Sequence, residues 1–246
     1  MLASSSIKTV VYGFGLIIWT VFSLIVGQLI AGIILVSLPV VINQNVETTI
    51  GAALGYLIGL VIAILLLPAI KRRKPKLAVL GASRLPSWSD IGLGILSVVP
   101  YFLLTALLIW IGVSLLKVID PTVGQQIAFT QVSTRIDYVV TFITLVVLAP
   151  AAEELLFRGY LLGRLSGKWH KWVAVIVTAL VFGMLHAPGF TQTGVVWQWG
   201  AVADTFALGI IAGSLRMLTG SIWAGVILHA IKNMIAFYFL FVSPML

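Results

Sequence analysis

Seven runs of predominantly apolar residues, separated by polar or turn-forming segments, organise this chain; they lie at roughly 10–36, 49–70, 91–116, 138–163, 172–187, 200–215 and 221–241. A helix needs about 20 such residues to cross the hydrocarbon core of a bilayer. Inside that core every backbone N–H and C=O must be satisfied within the segment, so runs of this length read as helices. The expected fold is all-α: a polytopic membrane protein of about seven transmembrane helices in one bundle. The fifth and sixth runs are short by this measure and count as spans because polar or turn-forming loops flank both. The stretch 188–199 reads as a loop from its Pro and Gly residues, with Trp197 and Trp199 suited to the membrane–water interface.

Composition excludes the soluble alternative. Of 246 residues, 61% are hydrophobic and 9% charged, with mean hydropathy +1.15, whereas soluble domains run near half apolar and a quarter charged. A globule of this size could not hide so much apolar surface from water. The length suits a single membrane domain, 1–246, in which 1–116 supplies N-terminal helices and 138–241 carries the polar motifs. There is no cysteine, which excludes disulfides, a Cys nucleophile and a Cys-ligated metal. Lys8 precedes an apolar run far longer than a signal-peptide core, so a retained first helix is expected rather than a cleaved signal.

Net charge is +8, from 15 Lys and Arg against 7 Asp and Glu. The basic residues fall mostly between the apolar runs, so the expected partner is the lipid bilayer and not nucleic acid. If the Lys71–Lys76 run (KRRKPK) is cytoplasmic, then Lys8, Arg84, the Arg164–Lys168–Lys171 loop and Arg216 lie on the same side. That places 11 basic residues inside and two, Lys117 and Arg135, outside, with Arg158 and Lys232 within spans. The asymmetry predicts a multi-pass protein of the cell membrane with its N-terminus cytoplasmic and its C-terminus outside.

Ionisable groups within spans are costly and mark functional sites by default. The fourth run holds Glu153, Glu154 and Arg158, the fifth His186, the sixth Asp204, and the seventh His229, Lys232 and Asn233. Glu154 and Arg158 are four apart and share a helix face, so they can form a buried ion pair. Glu153 points about 100° away. Its carboxylate must find another partner or take up a proton, the condition of a general base near neutral pH. Pro150 removes a backbone donor just before the pair and is expected to kink the helix. His229 and Asn233 also share a face and can aim two donors at a developing oxyanion; bracing between helices is the plainer use of such side chains. His186 ends its helix, since Pro188 follows. Lys232 can snorkel or pair with a carboxylate, and Asp204 reads as structural. Gly209 and Gly213, four apart, fit a close helix–helix approach. The set predicts one water-filled cavity within the membrane, nearer the cytoplasmic side, formed by Glu153, His186 and His229 with Asn233 at its edge.

At these residues the chain resembles the CPBP family, the CAAX prenyl protease and bacteriocin-processing membrane proteins also called Abi. Glu153-Glu154-Leu-Leu-Phe-Arg158 is similar to the family's paired-Glu motif, Phe182-Gly-Met-Leu-His186 to its Phe-x-x-x-His motif, and His229-Ala-Ile-Lys-Asn233 to its His-x-x-x-Asn motif. The resemblance covers about 138–241. It implies an intramembrane endopeptidase acting on a membrane-associated protein or peptide. Glu153 would activate water, His186 would hold that water or shuttle its proton, His229 and Asn233 would stabilise the oxyanion, and Glu154 and Arg158 would support the site. Both a metal-free route and a metalloprotease route, with one divalent ion such as zinc on Glu153, His186 and His229, are compatible with the family. Two other functions stay open at this level: a non-catalytic bacteriocin-immunity protein, and a proton-coupled transporter, for which an inverted repeat is expected and none is visible.

Overall fold

Polar residues at the ends of the apolar runs set where the helices begin. Asn43 Oδ1 accepts from the N–H groups of Asn45 and Val46 at 2.8 and 3.3 Å, which starts the second helix. Ser87 with Asp90, and Thr134 with Asp137, form reciprocal capping boxes at the third and fourth. Gly220 ends the sixth in a left-handed conformation, φ 69°, which glycine adopts without steric penalty.

A computed structural model describes residues 2–38, 42–66, 70, 77–129, 131–191 and 194–243, with side chains from residue 7 onward. The Lys71–Lys76 run, on which the orientation leans, lies outside the described residues. The helices are α1 (Leu2–Ser37), α2 (Gln44–Leu66), α3 (Trp88–Leu115), α4 (Arg135–Leu165), α5 (Lys171–Met184), α6 (Trp199–Thr219) and α7 (Trp223–Val242). The protein is thus a polytopic all-α membrane bundle. Six of these helices are long and apolar enough to cross a membrane. The expectation of seven full spans is corrected at α5, whose 14 residues rise only about 21 Å. The chain leaves α5 two turns short of a span because it bends toward Pro188.

The segment 188–199 is also corrected. It is an antiparallel hairpin of β1 (Pro188–Thr191) and β2 (Gly194–Trp197), with Pro188 opposite Trp197 and Thr191 opposite Gly194. Val195, Val196 and Phe190 favour a pleated surface, and Gly194 takes the φ of +133° that the return needs. Trp197 and Trp199 stack with ring centroids 6.1 Å apart.

Large apolar side chains such as Ile18, Ile33, Leu103 and Ile176 stand exposed along the outer helix surfaces, as lipid-facing positions should. The interior is built where α4 meets α6 and α7, around Tyr160, Leu161, Leu208 and Leu228. Close approach of α6 to α5 beside it depends on Gly209 and Gly213: a Cβ on the first would lie 2.7 Å from Ala179, and on the second 3.0 Å from Val175. Between α3 and α4 the described residues of 117–134 form a strap without helix. It opens on a turn in which Asp120 accepts from the N–H and hydroxyl of Thr122, and these donors hold the Asp120 carboxyl below its ordinary value.

Candidate active site

The site begins with a defect in α4. Proline has no N–H, and the bend expected at Pro150 takes the form of π-helical turns, Ile143–Leu148 before it and Leu155–Leu162 after the Glu pair. In the first, the Ala149 N–H bonds to Thr144 O, five residues back. The next donor in that pattern would be the nitrogen of Pro150, so the Leu145 carbonyl loses its partner within the helix. Asn233 of α7 supplies one: its Nδ2 donates to Leu145 O at 2.7 Å. The sequence pattern aims both Asn233 and His229 at one point. One amide donor of Asn233 is instead committed to α4, and the second remains.

Between the two π-helical stretches sit Glu153 and Glu154. Glu154 is fully buried and pairs with Arg158, Oε1 to Nη1 at 2.9 Å. Arg158, 1% exposed, lies 4.4 Å over the Phe182 ring. The same Glu154 Oε1 is 3.2 Å from His229 Nδ1. A carboxylate on one ring nitrogen fixes the orientation of the other, and His229 Nε2 is accordingly turned toward Glu153, 3.8 Å from its Oε2. That separation is too long for a hydrogen bond. It allows both groups to reach one water at about 2.8 Å each.

Glu153 is not without a partner. Tyr56 of α2 donates its hydroxyl to Glu153 Oε1 at 2.5 Å, which leaves Oε2 for the cavity. His186 lies just past the end of α5. Its Nδ1 meets the Phe182 carbonyl at 2.9 Å, which turns the ring back along the helix and leaves Nε2 free to face inward. The rings of His186 and His229 flank Phe182 with centroids 4.9 and 6.1 Å away, both edge to face.

Glu153, His186, His229 and Asn233 line a single cavity of about 560 Å³. Its other polar wall was only half visible in the sequence. Lys232 Nζ pairs with Asp204 Oδ2 at 3.0 Å, and the Tyr101 hydroxyl donates to Asp204 Oδ1, so α3, α6 and α7 are tied at the cavity's side. A structural role for Asp204 and a carboxylate partner for Lys232 converge on this pair. The cavity lies within the bundle. From Glu153 it extends toward the strap, whose residues Gly124–Phe129 line it.

The metal route requires three ligands from Glu153, His186 and His229. Among the described residues no three His, Asp or Glu side chains gather as ligands for one ion. Glu153 and His229 approach each other, while His186 turns its Nδ1 onto Phe182. As they stand, these side chains do not form a three-ligand site.

Known proteins match parts of the chain. A curated protein of Escherichia coli, described only as an uncharacterized 24.3 kDa protein, is 30% identical over 95 residues, which cover 38% of this chain and 41% of that one. The chain thus matches about two fifths of the length of that relative. No solved structure matches. Residues 135–235, from the start of α4 into α7, match the model of the Rce1-like family, type II CAAX prenyl endopeptidase, and this segment holds the three motifs that resemble the CPBP family.

Proposed function

We propose that the protein is an intramembrane endopeptidase that hydrolyses a peptide bond in a membrane-associated protein or peptide through a Glu153-activated water. The observation that carries this reading is the meeting of Glu153 Oε2 and His229 Nε2 at 3.8 Å on the wall of a cavity inside the bundle.

Water held between these two atoms gives its proton to Glu153 as its oxygen attacks the carbonyl carbon. Tyr56 keeps the other carboxylate oxygen engaged, so Oε2 is the basic one. The carbonyl oxygen gains negative charge, which an N–H at His229 Nε2 would meet as a donor, with the second N–H of Asn233 beside it. As the C–N bond breaks, the proton on Glu153 passes to the leaving nitrogen, directly or through His186 Nε2. Glu154 and Arg158 touch neither water nor substrate; they set the His229 ring. Gly225 leaves room for this packing, since a Cβ there would lie 3.0 Å from Glu154 Oε2.

A carrier would alternate access to its site between the two faces of the bundle. Carriers of this kind are built from inverted repeats, and none is visible in the sequence, which supports the hydrolase over the transporter. The test works with the substrate still unidentified. Membrane-protein termini are profiled by mass spectrometry in cells that express the wild type and in cells that lack the gene. New termini within or beside apolar segments are expected with the wild type. Identical terminus profiles would contradict a peptidase.

A further inference from the structure

Hydrogen bonds between connecting segments distinguish the two ends of the bundle. At one end, Trp169 Nε1 donates to Thr9 O at 3.0 Å, Arg216 Nη2 to Val79 O at 2.9 Å, and Trp223 Nε1 to Arg84 O at 2.5 Å. At the other, Asn45 Nδ2 donates to Gln131 O at 2.7 Å, the Phe190 N–H to Gln126 Oε1 at 2.7 Å, and the Tyr138 hydroxyl to Phe241 O at 3.2 Å.

Charge is divided unequally between these ends. Lys8, Arg84, Arg164, Lys168, Lys171 and Arg216 belong to the first, and Lys117 and Arg135 to the second. The five further basic residues of Lys71–Lys76, outside the described residues, fall in sequence between α2 and α3, whose connection belongs to the first end. Basic connections are retained in the cytoplasm, so the first end is the cytoplasmic one.

The cavity opens at the second end. Glu153 is 12 residues from the basic end of α4 and 18 from the other, about 18 and 27 Å, so the reacting groups lie deep and nearer the cytoplasm. Yet every lining residue lies between them and the strap end: Thr48 early in α2, Thr144 in α4, Phe239 and Leu240 late in α7, and Gly124–Phe129 in the strap. None comes from the basic connections. A volume of about 560 Å³ is in the range of pockets for small ligands; it holds a few residues of extended chain and no folded domain. The apolar rim, with Ile127, Phe129, Phe237 and Phe239, suits apolar side chains.

We propose that the cavity is open to the extracytoplasmic side, and that its substrate is an extended apolar polypeptide segment delivered from that side beneath the strap. The word substrate rests on the peptidase reading; the sidedness does not. The absence of native cysteine makes single-cysteine labelling direct. Ala236→Cys on the α7 wall and Ala52→Cys on α2 are exposed to a charged, membrane-impermeant methanethiosulfonate, with Ser166→Cys at the basic end as reference. In intact cells the two cavity positions should be labelled and Ser166→Cys should not; in inverted vesicles Ser166→Cys should be labelled. Labelling of the cavity positions from inverted vesicles alone overturns the proposal, and so does their failure to react from either side. Because labelling needs no turnover, a failed peptidase reading leaves this result intact. A reporter then addresses the substrate. The same apolar segment, exported or held in the cytoplasm, should be cut only when exported, and cutting of the retained form overturns the assignment.

Discussion

Replacing Arg158 by Met removes one charge of a pair that has no access to water. Glu154 is 0% exposed, and among the described residues its carboxylate would keep His229 Nδ1, at 3.2 Å, as its one remaining partner. Breaking such a pair costs about 3–5 kcal/mol, because the remaining charge is buried without compensation. At 1.4 kcal/mol per tenfold, the folding equilibrium should fall by about a hundred- to several-thousand-fold. The stacking of the guanidinium 4.4 Å over Phe182 adds up to about 2 kcal/mol where the cation is desolvated. The companion variant Glu154→Gln with Arg158→Met removes both charges and should regain most of the loss, with a coupling on the order of 2–3 kcal/mol in the double-mutant cycle. Denaturation in mixed micelles, followed by tryptophan fluorescence, reads both numbers. The double variant should fold yet cleave poorly, since His229 loses the anion that orients it. An Arg158→Met protein as stable as the wild type, or a double variant no more stable than the single, would refute the ion pair as the organiser of α4.

Further expectations follow from single contacts. Asn233→Ala leaves the Leu145 carbonyl without its donor and should cost about 1–3 kcal/mol of stability, measured by the same denaturation. Tyr56→Phe removes a bond to a charged group worth about 1.5–3 kcal/mol, so cleavage should slow by roughly ten- to a hundredfold at unchanged folded yield; unchanged cleavage would remove Tyr56 from the positioning of Glu153. Gly209→Ala puts a Cβ 2.7 Å from Ala179 and should destabilise by about 1–3 kcal/mol through the α5–α6 contact. Chelation with EDTA should leave cleavage by the purified protein unchanged, and loss of activity restored by added zinc would bring the metal route back.

The bundle was legible in the sequence because lipid permits few solutions. A run such as 91–116 has no soluble alternative, and α3 at Trp88–Leu115 follows it within three residues. The Glu154–Arg158 pair was equally readable, since four residues on a helix fix a shared face. What escaped depends on contacts between elements. Tyr56 lies in an apolar run where an aromatic residue looks like core, and only the approach of α2 to α4 gives its hydroxyl a carboxylate. The Asn233 bond to Leu145 depends on a carbonyl freed by Pro150, and the proline announced a break without naming its partner. The hairpin was hidden because Pro188, Gly189 and Gly194 signal a loop more strongly than Val195 and Val196 signal a strand. Depth was legible, since Glu153 and His229 lie nearer the basic ends of α4 and α7, but the direction in which the cavity extends depends on the strap, whose residues Gly124–Phe129 line it and carry no signal of that role in the sequence.

The central claim is that Glu153 moves the proton of the attacking water. Its most direct test is single-turnover cleavage in liposomes of a peptide cut by the wild type, compared with Glu153→Gln at matched thermal stability. Gln keeps the shape and can accept the Tyr56 bond, but it cannot take up a proton. The account predicts that cleavage by Glu153→Gln falls to background while its unfolding profile and peptide binding stay those of the wild type. Cleavage by the Gln variant within a few-fold of wild type would contradict it.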